Sequence, residues 1–293
     1  MIHVKEVDID NPIIEAEIIL LIGAAFNSDP IQPGYLKKNI QSKSSSQSSL
    51  FLCAFEEKKM IGCNAFIAND FSFENNLAVC YQSCWSATHP EHQGKRAFFK
   101  IQEEAKKILK ERGASLIFGL PNSNSRPIFV KKLNFAEKDS LLLRIPNIFF
   151  LRNFWIRNKY TKNINNKNAL ISNERQIIEL KKNLNSEIIE IKRGSSLAWG
   201  KIQNKVKYGI RWKIFSVGGM DIKSSIDFSL LMKDIFMQKC HFVEMVSCES
   251  NTNNNMFRFW KNLDESKFIF FFLNQEESNF KNFNLTSGVG DTF

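Results

Sequence analysis

The chain has few of the residues that bind transition metals or cross-link small secreted domains. It has four histidines (His3, His89, His92, His241) and six cysteines (Cys53, Cys63, Cys80, Cys84, Cys240, Cys248) in 293 residues. No two cysteines stand as C-x-x-C and no histidine pair completes a zinc spacing, so the common zinc modules are excluded and no metal is expected. No apolar run approaches the ~20 residues of a membrane span, which argues against membrane insertion. The opening MIHVKEVDID carries early acids and lacks the apolar stretch of a secretory signal. Free thiols in a reducing, cytoplasmic setting are the expectation.

Hydrophobic residues make up 43% of the chain, enough for a packed core. Lys and Arg number 40 against 30 Asp and Glu, a net charge of +10. That surplus suits nucleic acid, an anionic membrane or a small ligand bearing phosphates, although part of it is ordinary solvated lysine. A nucleic-acid-binding protein is the rival reading from another class, but acids are interspersed among the bases and no nucleic-acid motif is present, so no nucleic-acid partner is expected.

The hydrophobic pattern divides the chain into elements. Ile2, Val4, Val7 and Ile9 alternate as a first strand would, and Asn11-Pro12 signals a helix running to Phe26. After a turn region and a low-complexity loop at Ser42–Ser49, strands are expected at Leu50–Phe55, Met60–Ala68 and Leu77–Ala87. THPEHQGKRAFFK (Thr88–Lys100) then reads as a turn opening a helix that ends at Gly113. Phe98, Ile101, Ala105 and Ile108 form its apolar face. Ala114–Leu120 is a short buried strand, and PNSNSRPIFVKKLNF a turn and a short helix. IPNIFFLRNFWIRN (Ile145–Asn158) suggests an aromatic helix docked between domains, and YTKNINNK a linker. Beyond it, strands are expected at Ser186–Lys192, Arg211–Val217, His241–Ser247 and Lys267–Asn274. Helices are expected at Ser195–Val206, Asp227–Gln238 and Asn255–Leu263. The division is 1–144, a connector 145–168, and 169–293, the last echoing the end of the first half.

A strand feeding a glycine-containing turn at a helix N-terminus leaves backbone N–H groups unpaired and directs the positive end of the helix dipole outward, which favours an anion. Residues 78–138 add context. They resemble the acyl-CoA-binding core of the GNAT superfamily of N-acyltransferases, whose pyrophosphate signature is Gln/Arg-x-x-Gly-x-Gly/Ala. Gln93 matches the first position and Gly94 a frequent extra glycine, whereas Arg96 and Phe98 replace the glycine and the Gly/Ala. Downstream, Asn122, Ser125 and Phe135 match Asn-x-x-Ala/Ser-x-x-x-Tyr-x-x-x-x-Gly-Phe, whereas Phe129 replaces the tyrosine and Asn134 the glycine.

The resemblance implies a mixed α/β (α+β) GNAT fold, with two tandem GNAT-like halves of which the second is degenerate. It implies acyl-CoA as cosubstrate, with Ala87, Thr88, Gln93, Gly94, Lys95, Arg96, Ala97, Phe98, Asn122, Ser125 and Phe129 around it. The block QSCWSATHPEHQGKRAFF further resembles sugar N-acyltransferases of surface-polysaccharide pathways, as does the final GVGDTF. This implies a dTDP- or UDP-linked amino sugar as acceptor and an acetyl or larger hydroxyacyl group as cargo. Acylation of another small amine or peptide, or CoA binding without turnover, are the alternatives.

Acyl transfer from a thioester needs a neutral amine, a donor for the carbonyl oxygen, and alignment of the two. In the family the strand before the turn splays open and its N–H groups hold the carbonyl, here at Ser86–Thr88. His89 is the nearest group able to take the amine's proton, or else it supports the loop. Gln82, Ser83 and Ser86 lie on the same strand, where alternation puts Gln82, Cys84 and Ser86 on one face and Ser83 and Trp85 on the other. Tyr81 is a proton donor, a substrate contact together with Trp85, or else core. The Cys84 thiol has no partner histidine, so direct attack by the amine is expected. Arg96 either grips phosphate or points to solvent. In the second half, Tyr208, Arg211 and Trp212 are candidates for nucleotide-sugar recognition.

Overall fold

In the computed structural model, residues 1–28, 31–40, 44, 46–73, 76–147, 169–172, 174–184, 187–207, 209–223, 225–247, 265–273 and 282–284 are described. The linker at 160–167, most of the expected connector helix, Tyr208, Cys248, the expected helix at 255–263 and the final GVGDTF lie outside the described residues.

Cα packing divides the chain into two units. The first comprises Met1–Phe71, Leu77–Lys138 and Phe268–Asn279. A division drawn along the sequence gives Phe268–Asn279 to the second half, whereas packing gives it to the first. The elements of this unit begin with β1 (Ile2–Glu6), α1 (Pro12–Phe26), α2 (Tyr35–Asn39), β2 (Leu50–Glu56), β3 (Lys59–Phe73) and β4 (Asn76–Thr88). A turn of 3₁₀ helix at Pro90–His92 precedes α3 (Ala97–Glu111), β5 (Leu116–Gly119) and α4 (Arg126–Leu133). Helix α1 starts where Asn11 and Pro12 predict: the Asn11 side chain accepts from the Ile13 N–H at 3.0 Å, and Pro12 loses no bond at the first turn. It stops at Asn27, which is left-handed.

The sheet order in this unit is β1-β2-β3-β4-β5 followed by the strand at Glu265–Phe272. β1, β2 and β3 pair antiparallel, and β4 and β5 pair parallel across the α3 crossover. Strand β2 is buried from Leu50 to Phe55 because both faces are covered. Leu50, Leu52 and Ala54 face the core that contains Ile101, Ala105 and Leu109 of α3. Phe51, Cys53 and Phe55 face the core that contains Ile18, Leu21 and Ile22 of α1.

The second unit comprises Ser72–Asn76, Asp139–Lys267 and Phe280–Phe293. Its strands are β6 (Ala136–Pro146), β7 (Ala169–Ser172), β8 (Ile189–Arg193), β9 (Ser196–Lys207), β10 (Ile210–Asp221) and β11 (Phe242–Ser247); its helices are α5 (Glu174–Leu184) and α6 (Ser225–Met237). The strand at Glu265–Phe272 is β12, and β13 (Asn282–Asn284) pairs with β7. β8, β9 and β10 pair antiparallel, β10 and β11 parallel across α6, and β11 and β6 antiparallel. The succession helix, three antiparallel strands, helix, parallel strand repeats the α1-to-β5 succession once β1 and α2 are set aside.

Two expectations are corrected here. Ser195–Val206 is not a helix: it is the middle strand β9, with ladders to β8 and β10 on both sides. Leu197, Ala198 and Trp199 are all buried, so the helix-like spacing of its apolar residues records burial on both faces of a strand. The segment 136–146, for which no element was expected, is β6, and it takes in Ile145 and Pro146 from the start of the expected connector helix.

The Trp199 indole N–H donates to Glu174 Oε2 at 2.8 Å, and both side chains are buried. The pair fits because β10 has no side chain at Gly219, where an added Cβ would lie 1.8 Å from Glu174 Oε2. Gly219→Ala is expected to lower stability by more than about 2 kcal/mol through overpacking and displacement of a buried bonded carboxylate; thermal denaturation of the full chain checks this.

Candidate active site

In β4, Trp85 has φ 52°, a left-handed conformation inside a strand. It resets the alternation of side chains. Before it, Tyr81 belongs to the α3-side core and Cys84 to the α1-side core. After it, Ala87 returns to the α1 side and Ser86 turns to the α3 side, where both Ser83 and Ser86 meet Asn64 of β3. Simple alternation placed Ser83 and Ser86 on opposite faces; the left-handed residue between them brings them together. The ladder between β4 and β5 ends at Gln82 opposite Phe118, so the rest of β4 leaves its neighbour. This opens the strand just before the turn, and backbone N–H groups beyond the ladder become available.

A pocket of about 980 Å³ sits at that opening. Ser86, Ala87 and Thr88 of β4, Gln93, Gly94 and Arg96 of the turn, and Ala97 and Phe98 of α3 contribute to its wall. Asn122 and Ser125, before α4, close another side. The Asn122 carboxamide oxygen accepts from the N–H groups of Asn124 and Ser125 at 3.0 and 2.9 Å and so shapes that loop. The first intrahelical bond of α3 runs from the Lys100 N–H to the Arg96 carbonyl at 3.0 Å. The N–H groups of Ala97, Phe98 and Phe99 therefore have no acceptor within the helix, and no acid stands in its first turn. In the second unit, by contrast, Asp227 occupies the first turn of α6 and accepts from the Ser196 hydroxyl at 2.9 Å. That helix start already holds an anion of its own.

The turn explains how arginine stands where the family has glycine. Arg96 has φ 67° and Gly94 φ 80°, so both are left-handed. Asn134, the other residue in a glycine position, has φ 58° at the end of α4. The backbone keeps the conformation that glycine adopts without strain, and asparagine tolerates it better than most residues. Arg96 offsets part of that strain by laying its guanidinium over the Phe99 ring, 4.7 Å from the centroid.

Other candidates lie away from the wall. His89 is not a lining residue: its N–H donates to the Ile61 carbonyl at 3.0 Å, and its Nδ1 accepts from the Glu91 N–H at 3.3 Å. It caps the 3₁₀ turn, the supporting alternative to a base. Lys95 does not reach the pocket either. With His92 it ties the turn to Glu56 of β2: Lys95 Nζ lies 2.7 Å and His92 Nδ1 2.9 Å from Glu56 Oε2. Phe129 is buried, with its ring edge-on to Phe98 and Phe135 at 5.2 and 4.9 Å, so it shapes the wall from behind. Tyr81 is core. Its hydroxyl donates to the Ser48 carbonyl at 3.1 Å and burial pushes its pKa up, so it is no proton donor to the pocket. Gln82 is buried, and Trp85 stands edge-on to Tyr35 at 5.9 Å. Cys84 is buried and forms no disulfide. In the second unit Arg211 is exposed, while Trp212 is edge-on to His241 and Phe242 at 5.6 and 5.3 Å and is not an open stacking platform.

Sequence reasoning missed Asn64 and Gln102, which bond to Ser83 Oγ at 3.1 and 3.2 Å, and Ile128 and Lys132 of α4, which line the pocket. A legible signal existed for Asn64: a carboxamide in the middle of the apolar strand MIGCNAFIA. His89, Glu91 and His92 place ligand atoms within 4.8 Å of one another. Lys95 Nζ lies 3.3 Å from His92 Nδ1, which sets a positive charge against a metal there.

Among the described residues, no helix is long and apolar enough to cross a membrane. An opened parallel strand, an anion-receptive helix start and a pocket joining them are the features that an acyl-CoA site of the GNAT kind would need. Residues 15–137 match the model of the acetyltransferase (GNAT) domain. No curated protein matches the chain. Solved structures agree in fold. A conserved protein of Enterococcus faecalis V583, described as a probable N-acyltransferase, is 12% identical with a TM-score of 0.59, over 94% of this chain and 74% of that one. A GCN5-related N-acetyltransferase of Anabaena variabilis is 9% identical with a TM-score of 0.63, over 94% and 74%. One from Kribbella flavida is 8% identical with a TM-score of 0.63, over 94% and 73%. Residues 15–137 thus carry a GNAT acetyltransferase domain, which supports an acyl-CoA-dependent N-acyltransferase.

Arg96→Ala is expected to weaken CoA binding about tenfold in calorimetry, the loss of one charge-assisted contact. Arg96→Gly should bind CoA no better than Arg96→Ala yet be about 1 kcal/mol more stable, because glycine is unstrained at this φ. Equal stabilities would show that the turn relaxes around alanine. Hydrogen bonding from Lys95 is the largest influence holding the Glu56 carboxyl below its usual range; burial opposes it, and Lys95 charge and His92 assist. A depressed folded pKa stabilises above the unfolded value of about 4.5 and loses that stabilisation as pH falls through the folded value. Wild type should therefore be more stable than Glu56→Gln at pH 7, with the difference shrinking in denaturant titrations as pH falls through the lowered folded value.

Proposed function

We propose that the chain acylates the amino group of an amino sugar carried on dTDP or UDP, using acyl-CoA and direct attack by the amine. The observation that carries the reading is the pocket at the opening of β4, which lies beside the unpaired N–H groups that begin α3. Pyrophosphate at that helix start would direct the pantetheine arm along Ala87 and Thr88 toward Ser86. Backbone N–H groups of Ser86–Thr88 then receive the thioester carbonyl as its oxygen gains charge. A neutral amine forms the C–N bond, the C–S pair leaves as thiolate, and the amine's proton passes to solvent or to the thiolate. Phe129 has no hydroxyl to protonate the leaving sulfur, so that proton comes from the amine, from another group or from water. Support for a sugar acceptor comes from the likeness of residues 82–99 and of the chain's end to sugar N-acyltransferases. The acyl group is acetyl by default, with a hydroxyacyl group also accommodated by this chemistry.

Phe129 also motivates a second reading, a GNAT scaffold that binds CoA without turnover. Acetyl-CoA with a panel of dTDP- and UDP-linked amino sugars, followed by thiol release and product mass, distinguishes the readings. Turnover with a nucleotide-linked amino sugar at a rate at least about a hundred times that of simple amines is expected. Turnover of simple amines or peptides alone overturns the sugar acceptor, and CoA binding with no turnover on any acceptor favours the second reading.

A further inference from the structure

Behind Ser86, which lines the pocket, lies a buried polar network whose donors and acceptors can be assigned. Asn64 is 0% exposed, and Gln102 of α3 is 0% exposed. Asn64 Nδ2 lies 2.8 Å from the Ala65 carbonyl, which only accepts, so the nitrogen must face it. This fixes the orientation of the carboxamide without reference to the serines. The second Nδ2 hydrogen goes to Ser83 Oγ at 3.1 Å, which also receives Gln102 Nε2 at 3.2 Å. Asn64 Oδ1 is left facing Ser86 Oγ, with the Ser83 hydroxyl donating to the same oxygen at 3.4 Å, and since a carboxamide oxygen only accepts, Ser86 must donate its hydrogen to it.

We propose that Asn64 is a positioning residue that fixes Ser86 as a hydrogen-bond acceptor toward the pocket. With its only hydrogen held by Asn64, Ser86 Oγ presents lone pairs to the space it lines. It cannot donate to the thioester carbonyl and receives an N–H instead. Two N–H groups come within this chemistry: the acceptor amine, and an amide of the pantetheine arm of CoA. Asn64 Oδ1 is too weak a base to keep a proton, so Ser86 orients the N–H and does not remove it. The inference rests on the N-acyltransferase reading.

The test compares the full chain with Ser86→Ala, Asn64→Leu and the double variant. Calorimetry measures CoA binding, and steady-state kinetics measures kcat and KM for the best amine of the panel. Loss of the Ser86 acceptor should weaken whichever ligand supplies the N–H about tenfold. A weaker CoA dissociation constant assigns the N–H to pantetheine; a raised KM for the amine at unchanged CoA affinity assigns it to the acceptor. Because Asn64 acts through Ser86, the double variant should bind and turn over like Ser86→Ala alone. Additive losses would make Asn64 merely structural and overturn the positioning role. Should Asn64→Leu fail to fold, Ser86→Thr takes its place: it keeps the hydroxyl and should restore what Ser86→Ala loses. Wild type that binds CoA while Ser86→Ala leaves both CoA affinity and amine KM unchanged overturns the inference alone. Wild type that binds no CoA removes the N-acyltransferase reading, and the inference with it.

Discussion

The site depends on one local break in a sheet. Beyond Gln82, β4 gives up its parallel ladder with β5, and three residues later Trp85 turns left-handed. Strands in a fully paired sheet have no free backbone donors, and a β-branched or aromatic residue resists positive φ. Both costs are met here, on the order of 1–3 kcal/mol for the dihedral alone. The surrounding core makes the arrangement stable. Cys84 and Ala87 are buried on the α1 side, Tyr81 on the α3 side, and Trp85 packs between them and Tyr35. The strand is held on both sides of the break, so its conformation at the break has little freedom.

The turn that follows shows that a sequence signature can be lost while its backbone survives. Glycine is the family's residue because a left-handed conformation is needed, and the same conformation appears at Arg96 and Asn134. The arginine is supported by Phe99 under its guanidinium, and the turn is moored to β2 through the Lys95–Glu56–His92 cluster. What glycine supplies by default is supplied here by contacts spread over three elements.

The two units repeat an order of elements but differ where it matters chemically. Helix α3 begins with bare N–H groups and no acid, whereas α6 begins with Asp227 already engaged by Ser196. Each unit also draws a strand from the far side of the other in sequence: β6 follows the first unit's last helix yet pairs with β11, and Ile269–Phe272 of β12 pairs with β5. Such membership has no local signature. Apolar runs such as LLLRI and FIFFF announce burial, but the partner strand is chosen by which ladder is left unpaired.

Sequence alone determined the elements whose signals are local. Asn11-Pro12 set the start of α1, short apolar runs bounded by turns placed β2 through β5, and the stripe through Ile101 and Ala105 placed α3, because capping, φ restriction and periodicity act within a few residues. It also pointed to the turn and the Asn122–Ser125 segment that meet at the pocket. Tertiary structure decided the rest. Ser196–Lys207 became a strand because two neighbours offered ladders, which outweighs local helical spacing. Lys95, His89 and Phe129 left the pocket for an ion pair, a cap and the core, since side-chain direction depends on partners far off in sequence. Ser83 and Ser86 came together on Asn64 only because Trp85 reversed the alternation, a backbone choice imposed by the cores on either side of the sheet.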